Sequence, residues 1–261
     1  MGFGGADIPG YAGVPSQNLF VAFYQLGVFY PFFRAHCEIN NTRREPWLQN
    51  PTTQEVIRES VFLRYSLIHY IYTTFATFAD TGVPLMRPMW LEYPTGDWNK
   101  VYAQFMFGDS ILFAPKLNDM FNGVFSVDVK LPEEDIWYDH NTGLVMDQNV
   151  FRMDMNATEL GLFYKGGSIL PMLAHKRELS LMNAINNSMS LEVRLDAASK
   201  ASGKVTLDDG VTTKDTRSDV KFIFDGFTLS YEVIRTPTVA VELKSSHVST
   251  VIFYGVTQSP V

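Results

Sequence analysis

The chain reads as an α/β segment followed by an all-β run, and three observations predict that division. Two short runs, Gly4-Gly5-Ala6-Asp7-Ile8-Pro9-Gly10-Tyr11 and Tyr30-Pro31-Phe32-Phe33-Arg34-Ala35-His36, flank a stretch with helical periodicity. A second, longer helical stripe then extends to Gly82. From Leu85 onward, short β-rich runs separated by Gly, Pro, Asn and Asp take over. Each of the two opening runs leaves an ionisable side chain, Asp7 or His36, where small or apolar residues give way to loop chemistry. A carboxylate and an imidazole at the ends of two strands joined by a helix suit one mouth of a βα barrel or of an open α/β sheet.

The elements follow in order. Residues 15–33 are predicted as a helix entered through Pro15-Ser16, with Leu19, Phe20, Phe23 and Tyr24 on one face and Pro31 as its stop. Phe32-Phe33 can begin the next short strand, and residues 38–50 are polar enough for a loop at the site mouth. Pro51-Thr52-Thr53 opens the clearest helix, whose stripe runs through Ile57, Val61, Ile68, Ile71, Tyr72 and Phe75 and which Gly82 ends. Strands are predicted at 85–93, 101–107, 110–114, 123–130, 135–138, 161–164 and 167–171, the pattern of a sandwich. A softer polar stretch, Glu178 to Asn187, separates these from a second block at 190–196, 203–207, 220–225, 227–235, 238–244 and 249–254. Asp208-Asp209-Gly210 has the composition of a tight turn.

Bulk properties exclude several classes. The net charge is -7 and no basic stripe is present, so nucleic acid is not an expected partner. No apolar run approaches the twenty or so residues of a membrane span. One cysteine, Cys37, excludes an intrachain disulfide framework and a Cys-based zinc site, and no metal-ligand spacing or phosphate loop occurs, so no cofactor is expected. The 14% aromatic fraction fits both a packed core and a carbohydrate surface. Asn40, Asn156 and Asn186 head Asn-x-Ser/Thr sequons.

Gly-Ala-Asp-Ile-x-Gly-aromatic at residues 5–11, Phe33-Arg34-Ala35-His36 and Arg43-Arg44-Glu45-Pro46-Trp47 together resemble the C-terminal half of a family 31 glycoside hydrolase. The resemblance runs nearly end to end and is strongest over residues 2–115. It implies the last βα units of a (β/α)8 TIM barrel over residues 1–85, a proximal β-sandwich over 86–177 and a distal one over 178–261. Residues 1–85 should then be unstable alone, because two strands cannot close a barrel.

Within the family the likeness is to the two-subunit α-glucosidases of the endoplasmic reticulum. It implies removal of terminal α-linked glucose with retention, a lumenal location, a glucosylated N-glycan or other α-glucoside as substrate, and a β subunit as partner. No leader precedes Met1, so Met1 is expected to lie inside a longer reading frame. By resemblance, Asp7 and His36 line the sugar subsite, Tyr11 sits beside it where phenylalanine is usual, and Arg34 orients Asp7 or another carboxylate. A carboxylate and an imidazole can bind sugar hydroxyls in both hydrogen-bonding directions.

Retaining hydrolysis needs two carboxylates about 5–5.5 Å apart. The family's Trp-x-Asp-Met-Asn-Glu and Gly-Asp-Asn motifs that supply them are absent from this sequence. Asp109 in Gly108-Asp109-Ser110 resembles the second only superficially, because Ile111-Leu112-Phe113-Ala114-Pro115 matches the family's proximal sandwich. The chain alone is therefore expected to be inactive. A non-catalytic carbohydrate-binding or scaffolding protein, and another family 31 specificity such as α-xylosidase, are the competing readings. On residues alone, Asp7 suits a turn, His36 a core histidine, His69 a packing residue, and Arg43 with Glu45 a local ion pair.

Overall fold

A computed structural model describes residues 2–174, 180, 188–212, 215–239 and 247–256. The α/β segment is built on α1 (Gln17–Gly27), α2 (Pro51–Ser66) and α3 (Ile68–Thr81). Ser16 caps α1 by accepting from the Leu19 amide, and Asn50 caps α2 through the Thr53 amide. The first helix is shorter than the predicted 15–33. It stops at Gly27, and Arg64 of α2 takes the carbonyls that follow, donating to Val28 O at 2.6 Å, Tyr30 O at 2.7 Å and Pro31 O at 3.2 Å. Burial brings that guanidinium down to about 10. The single long helix predicted to end at Gly82 is two helices broken at Leu67, which is fully buried. Gly82 does end α3, in the left-handed conformation at φ 77° that glycine adopts without strain.

The two strands expected around Asp7 and His36 shrink to one parallel bridge, Ile8 with Ala35. The Ile8 amide donates to Arg34 O at 3.0 Å, and the His36 amide returns to Ile8 O at 3.3 Å. Pairing across α1 makes this a minimal βαβ unit. Two such segments cannot cover both faces of a parallel sheet, and Phe3, Val14 and Trp47 are correspondingly exposed.

The proximal unit begins with β1 (Met86–Pro88), then α4 (Met89–Glu92) where a continuous strand over 85–93 was predicted. It continues through β2 (Phe105–Phe107), β3 (Ile111–Phe113), β4 (Phe125–Lys130), β5 (Trp137–Asp139), β6 (Val150–Met155) and β7 (Leu162–Lys165). One sheet is ordered β1-β2-β3-β7-β5; β4 and β6 form a ribbon. Val129, Phe151 and Met153 of the ribbon close over Met106, Leu112, Trp137 and Phe163, giving the sandwich its core. No strand was predicted at 150–155. Arg152 and Asp154 face solvent on alternate positions there, which masks a strand that is apolar on one face only.

The distal unit has β8 (Ser168–Leu173), β9 (Met189–Arg194), β10 (Ala201–Leu207), β11 (Ser218–Phe224), β12 (Leu229–Arg235) and β13 (Val248–Tyr254) in the order β12-β11-β10-β8-β9-β13. β8 pairs with β9 and β10, so this sheet recruits residues upstream of position 178. Most of the strand predicted at 238–244 lies outside the described residues.

One core joins all three parts. Phe29, Tyr70 and Ile71 of the α/β segment, Phe107, Ile111 and Phe113 of the proximal sheet, and Leu170 and Met172 of β8 belong to a single buried cluster. The Phe29 and Phe113 rings are 4.5 Å apart. Polar ties bind α3 to the distal sheet as well. Arg217 grips Asp80 at 2.9 and 2.7 Å and also pairs with buried Asp219 at 2.8 Å. Replacing Arg217 with alanine should destabilise the chain by about 2–3 kcal/mol in urea unfolding, mostly by leaving buried Asp219 without a counter-charge and with the Thr206 hydroxyl at 2.5 Å as its remaining described side-chain partner, because half-exposed Asp80 is screened by water. An unchanged midpoint would show that Asp219 is satisfied without it.

Candidate functional site

The candidate site is the mouth formed where residues 4–13 and 32–45 run side by side. Two apposed backbones set its position: the Phe32 amide donates to Gly4 O at 3.0 Å, and a Cβ built on Gly5 would lie 2.0 Å from Phe32 O. Only glycine permits that approach. Ile8, completely buried with Phe20, Tyr24 and Ile57, anchors the first run into the α/β core.

Asp7 and Arg34 emerge beside this anchor. Arg34 donates through Nη2 at 2.6 Å and Nε at 3.1 Å, and both bonds converge on Asp7 Oδ1. The second carboxylate oxygen accepts no bond among the described residues, so the pair fixes the carboxylate while leaving an acceptor unused. Asp7's side chain is 18% exposed and Arg34's 48%, so the carboxylate is the recessed member. Arg34 also lies over the Phe32 ring at 5.3 Å, which restrains its stem.

His36 and Tyr11 form the outer half. Both are exposed, with ring centroids 5.8 Å apart and planes inclined by 37°. The Tyr11 carbonyl is held by the Glu38 amide at 3.2 Å and by Asn41 Nδ2 at 3.0 Å. Thus Asp7, Tyr11, Arg34 and His36 share one face, as two pairs rather than one hydrogen-bonded cluster.

The rim is braced by Arg44, which is 6% exposed and donates to Gly10 O and Gly13 O, each at 2.7 Å. Its neighbour Arg43 makes the local ion pair with Glu45 at 2.6 Å, and that hydrogen-bonded partner lowers the Glu45 carboxyl below its ordinary range. Adjacent arginines therefore play different parts: Arg44 a buried brace, Arg43 an exposed pair. The sequence offered Arg43-Arg44-Glu45 only as a block and could not separate them.

The other singled-out residues lie elsewhere. His69 is buried on α3, and desolvation takes its imidazole down to about 4, so it is neutral and packed. Asp109 is tied to Tyr70 and Ser110, away from the mouth. Asp208 accepts from Tyr72 of α3, and Asp209 accepts from the Thr212 hydroxyl and from the Thr212 and Val211 amides, which lower its carboxyl to about 2; this stretch is a turn docked on a helix. Asn40 is exposed. Asn156 is also exposed, with Oδ1 accepting from the Thr158 and Glu159 amides. Asn186 lies outside the described residues.

Family models match both parts. Residues 1–74 fit the glycosyl hydrolases family 31 TIM-barrel domain, and residues 82–170 fit the glycosyl hydrolase family 31 C-terminal domain. The chain belongs to glycoside hydrolase family 31. Among curated family 31 relatives it is 38% identical over 216 residues to a probable glucan 1,3-alpha-glucosidase of Oryza sativa subsp. japonica, covering 80% of this chain and 23% of the relative. It is 35% identical over 236 residues to neutral alpha-glucosidase AB of Mus musculus, covering 88% and 25%. A solved glucosidase II alpha subunit bound to Tris superposes with a TM-score of 0.84 at 29% identity, over 95% of this chain and 27% of that one. The heterodimer of the endoplasmic-reticulum enzyme, comprising its catalytic subunit and the binding domain of its regulatory subunit, gives 0.82 at 30% identity, over 88% and 25%. The chain thus spans about a quarter of the length of these family 31 relatives, and its fold is the tail of their barrel with the β-rich domains behind it.

Proposed function

We propose that this chain is the C-terminal quarter of a retaining α-glucosidase and that its mouth face forms one wall of the glucose subsite. The observation that carries this reading is the Asp7–Arg34 pair, in which one carboxylate oxygen is immobilised and the other left free at the carboxyl end of a βα segment. Ligand groups in βα folds sit at that end. In this reading Asp7 accepts from sugar hydroxyls, His36 donates or accepts beside it, Arg34 holds Asp7 in position, and Tyr11 offers a ring edge. None of the four cuts the linkage. The two carboxylate motifs that would do so are absent from the sequence, and bond cleavage is assigned to barrel segments other than these.

The activities named for the relatives, glucan 1,3-alpha-glucosidase and neutral alpha-glucosidase, support an α-glucoside as the substrate class. By the same likeness we assign a lumenal place in the endoplasmic reticulum and a β (regulatory) subunit as partner.

The test replaces the matching quarter of a neutral α-glucosidase AB with residues 2–261 and measures hydrolysis of a chromogenic α-glucoside. The graft should turn over substrate and the chain alone should not. Within the graft, Asp7→Ala should lower kcat/KM by about 10- to 100-fold, the loss of a charge-assisted hydrogen bond, with His36→Ala losing less. Unchanged kcat/KM in a folded Asp7→Ala graft refutes the subsite assignment. Turnover by the chain alone refutes the division of labour.

A further inference from the structure

An open cleft of mixed polar and apolar lining lies where α3 meets the distal sheet. It encloses about 330 Å³, many times the roughly 30 Å³ share of one water and within the range of small-molecule pockets. The sheet face turned toward it is the polar one. Ser202 and Lys204 of β10 and Lys221 of β11 line the cavity, whereas Ala201, Val205 and Phe222 point into the distal core.

Lys204 and Lys221 stand directly opposite each other in the β10–β11 register. Like charges so placed repel, and a sheet that keeps them sacrifices stability unless a counter-charge sits between them. Among the described residues neither makes an ion pair. Of their six ammonium N–H groups, the one bond described runs from Lys204 Nζ to Thr77 Oγ1 at 3.2 Å.

The surrounding charges do not supply the missing partner. Arg87, which is 6% exposed, spends Nη1 on Glu92 and Nε on Pro84 O at 2.8 Å, leaving Nη2 without a protein partner among the described residues. Asp109, the acid lining the cavity, has Oδ1 engaged by Tyr70 at 3.3 Å and Ser110 at 2.6 Å. Glu232 faces Lys221 in register from β12 but makes no ion pair with it, and Asp80, which feels the Lys204 charge, forms its ion pair with Arg217. Donors are in excess, and the cations sit on three separate elements.

We propose that this cleft binds a small phosphate-bearing ligand, its oxygens bridging Lys204 and Lys221 and reaching the free edge of Arg87. Two ammonium groups serve as point charges, the guanidinium as an oriented donor, and the Thr77 and Ser202 hydroxyls complete the shell. The site lies apart from the mouth face and does not depend on the glucosidase reading. Inorganic phosphate and a phosphate monoester of a compact sugar both carry that charge, and the test below separates them.

The test titrates the chain with inorganic phosphate, and separately with glucose 6-phosphate, by calorimetry and thermal melting at constant ionic strength. Saturable binding and a rise in Tm that equivalent chloride does not produce are expected. Lys204→Met and Lys221→Met should each weaken binding about tenfold or more. In phosphate-free buffer Lys221→Met should melt no lower than the parent, because it removes a repulsion rather than a support. Tighter binding of the ester supports the cleft with a sugar phosphate as its ligand; equal binding supports it with the free ion. No phosphate-specific response, or unchanged affinity in both folded variants, overturns the proposal.

Discussion

Gly5→Ala is expected to destabilise the chain by about 3 kcal/mol and to pull the mouth apart. The added methyl would sit 2.0 Å from the Phe32 carbonyl oxygen, a backbone atom that cannot swing aside as a side chain would. Relief requires the two runs to separate, which strains the Phe32–Gly4 bond and the Ile8–Ala35 bridge beyond it. Overpacking of this kind commonly costs about 1–3 kcal/mol, and backbone-to-backbone contact belongs at the upper end. Because Asp7 and Arg34 sit on opposite runs, their pairing should loosen together with stability. Chemical denaturation of the variant, with the Arg34 Nε proton followed by NMR, checks both effects. A variant as stable as the parent, with that proton unshifted, would mean that the runs do not approach as described.

Lys116→Met should be equally damaging, by a different route. Lys116 is buried, and its Nζ donates to Gln25 Oε1 at 2.8 Å, Asn156 O at 3.0 Å, Ala157 O at 3.0 Å and Glu159 O at 2.8 Å, with the Phe125 ring at 4.8 Å. The ammonium joins α1 to the proximal unit. Methionine matches its volume but strands three acceptors, the Ala157 carbonyl keeping its bond from Gln25 Nε2 at 2.9 Å; at about 1–3 kcal/mol for each buried unsatisfied group, partly relieved by water, about 3–5 kcal/mol is expected.

The parent should also carry a pH signature that this variant lacks. Burial brings the Lys116 ammonium down to about 7 from an ordinary 10.5. Between those values the unfolded chain binds more protons than the folded one, so this group makes stability rise with pH from about 7 to about 10.5 and contributes no slope below 7. Denaturation midpoints across that window, compared between parent and variant, isolate the contribution. Parallel curves would show that the lysine keeps its ordinary proton affinity despite burial.

Much of the architecture was legible because hydrophobic period and punctuation coincide. Gly82 and the β-rich runs at 220–225, 227–235 and 249–254 announce their elements, and the structure places a helix stop and three strands there. Legibility failed where a long-range partner does the work. The end of α1 depends on Arg64 from another helix, which no local pattern in 15–33 reveals. At 85–93 a run that is apolar apart from Arg87 and Glu92 conceals a change from strand to helix at Pro88, since three residues of strand and four of helix are too short to show either period. β6 was obscured by its own outward charges. At the mouth, motif order singled out Arg34 as the partner of Asp7 or of another carboxylate, and the structure pairs it with Asp7. Arg43-Arg44-Glu45 was legible as a brace for the loop, but not which arginine is buried, and Lys116 gave no signal at all: a buried cation is defined by the carbonyls around it, and carbonyls leave no trace in side-chain identity.

The two bonds from Arg44 to the Gly10 and Gly13 carbonyls have a thermodynamic corollary. They immobilise the strap that presents Tyr11 while the chain folds, so anything alighting on that face meets a surface whose freedom has already been surrendered. Affinity there should respond to direct bonds and displaced water rather than to ordering of the strap. Unfastening it at Arg44 would then penalise association even though that guanidinium is shut away from the visitor.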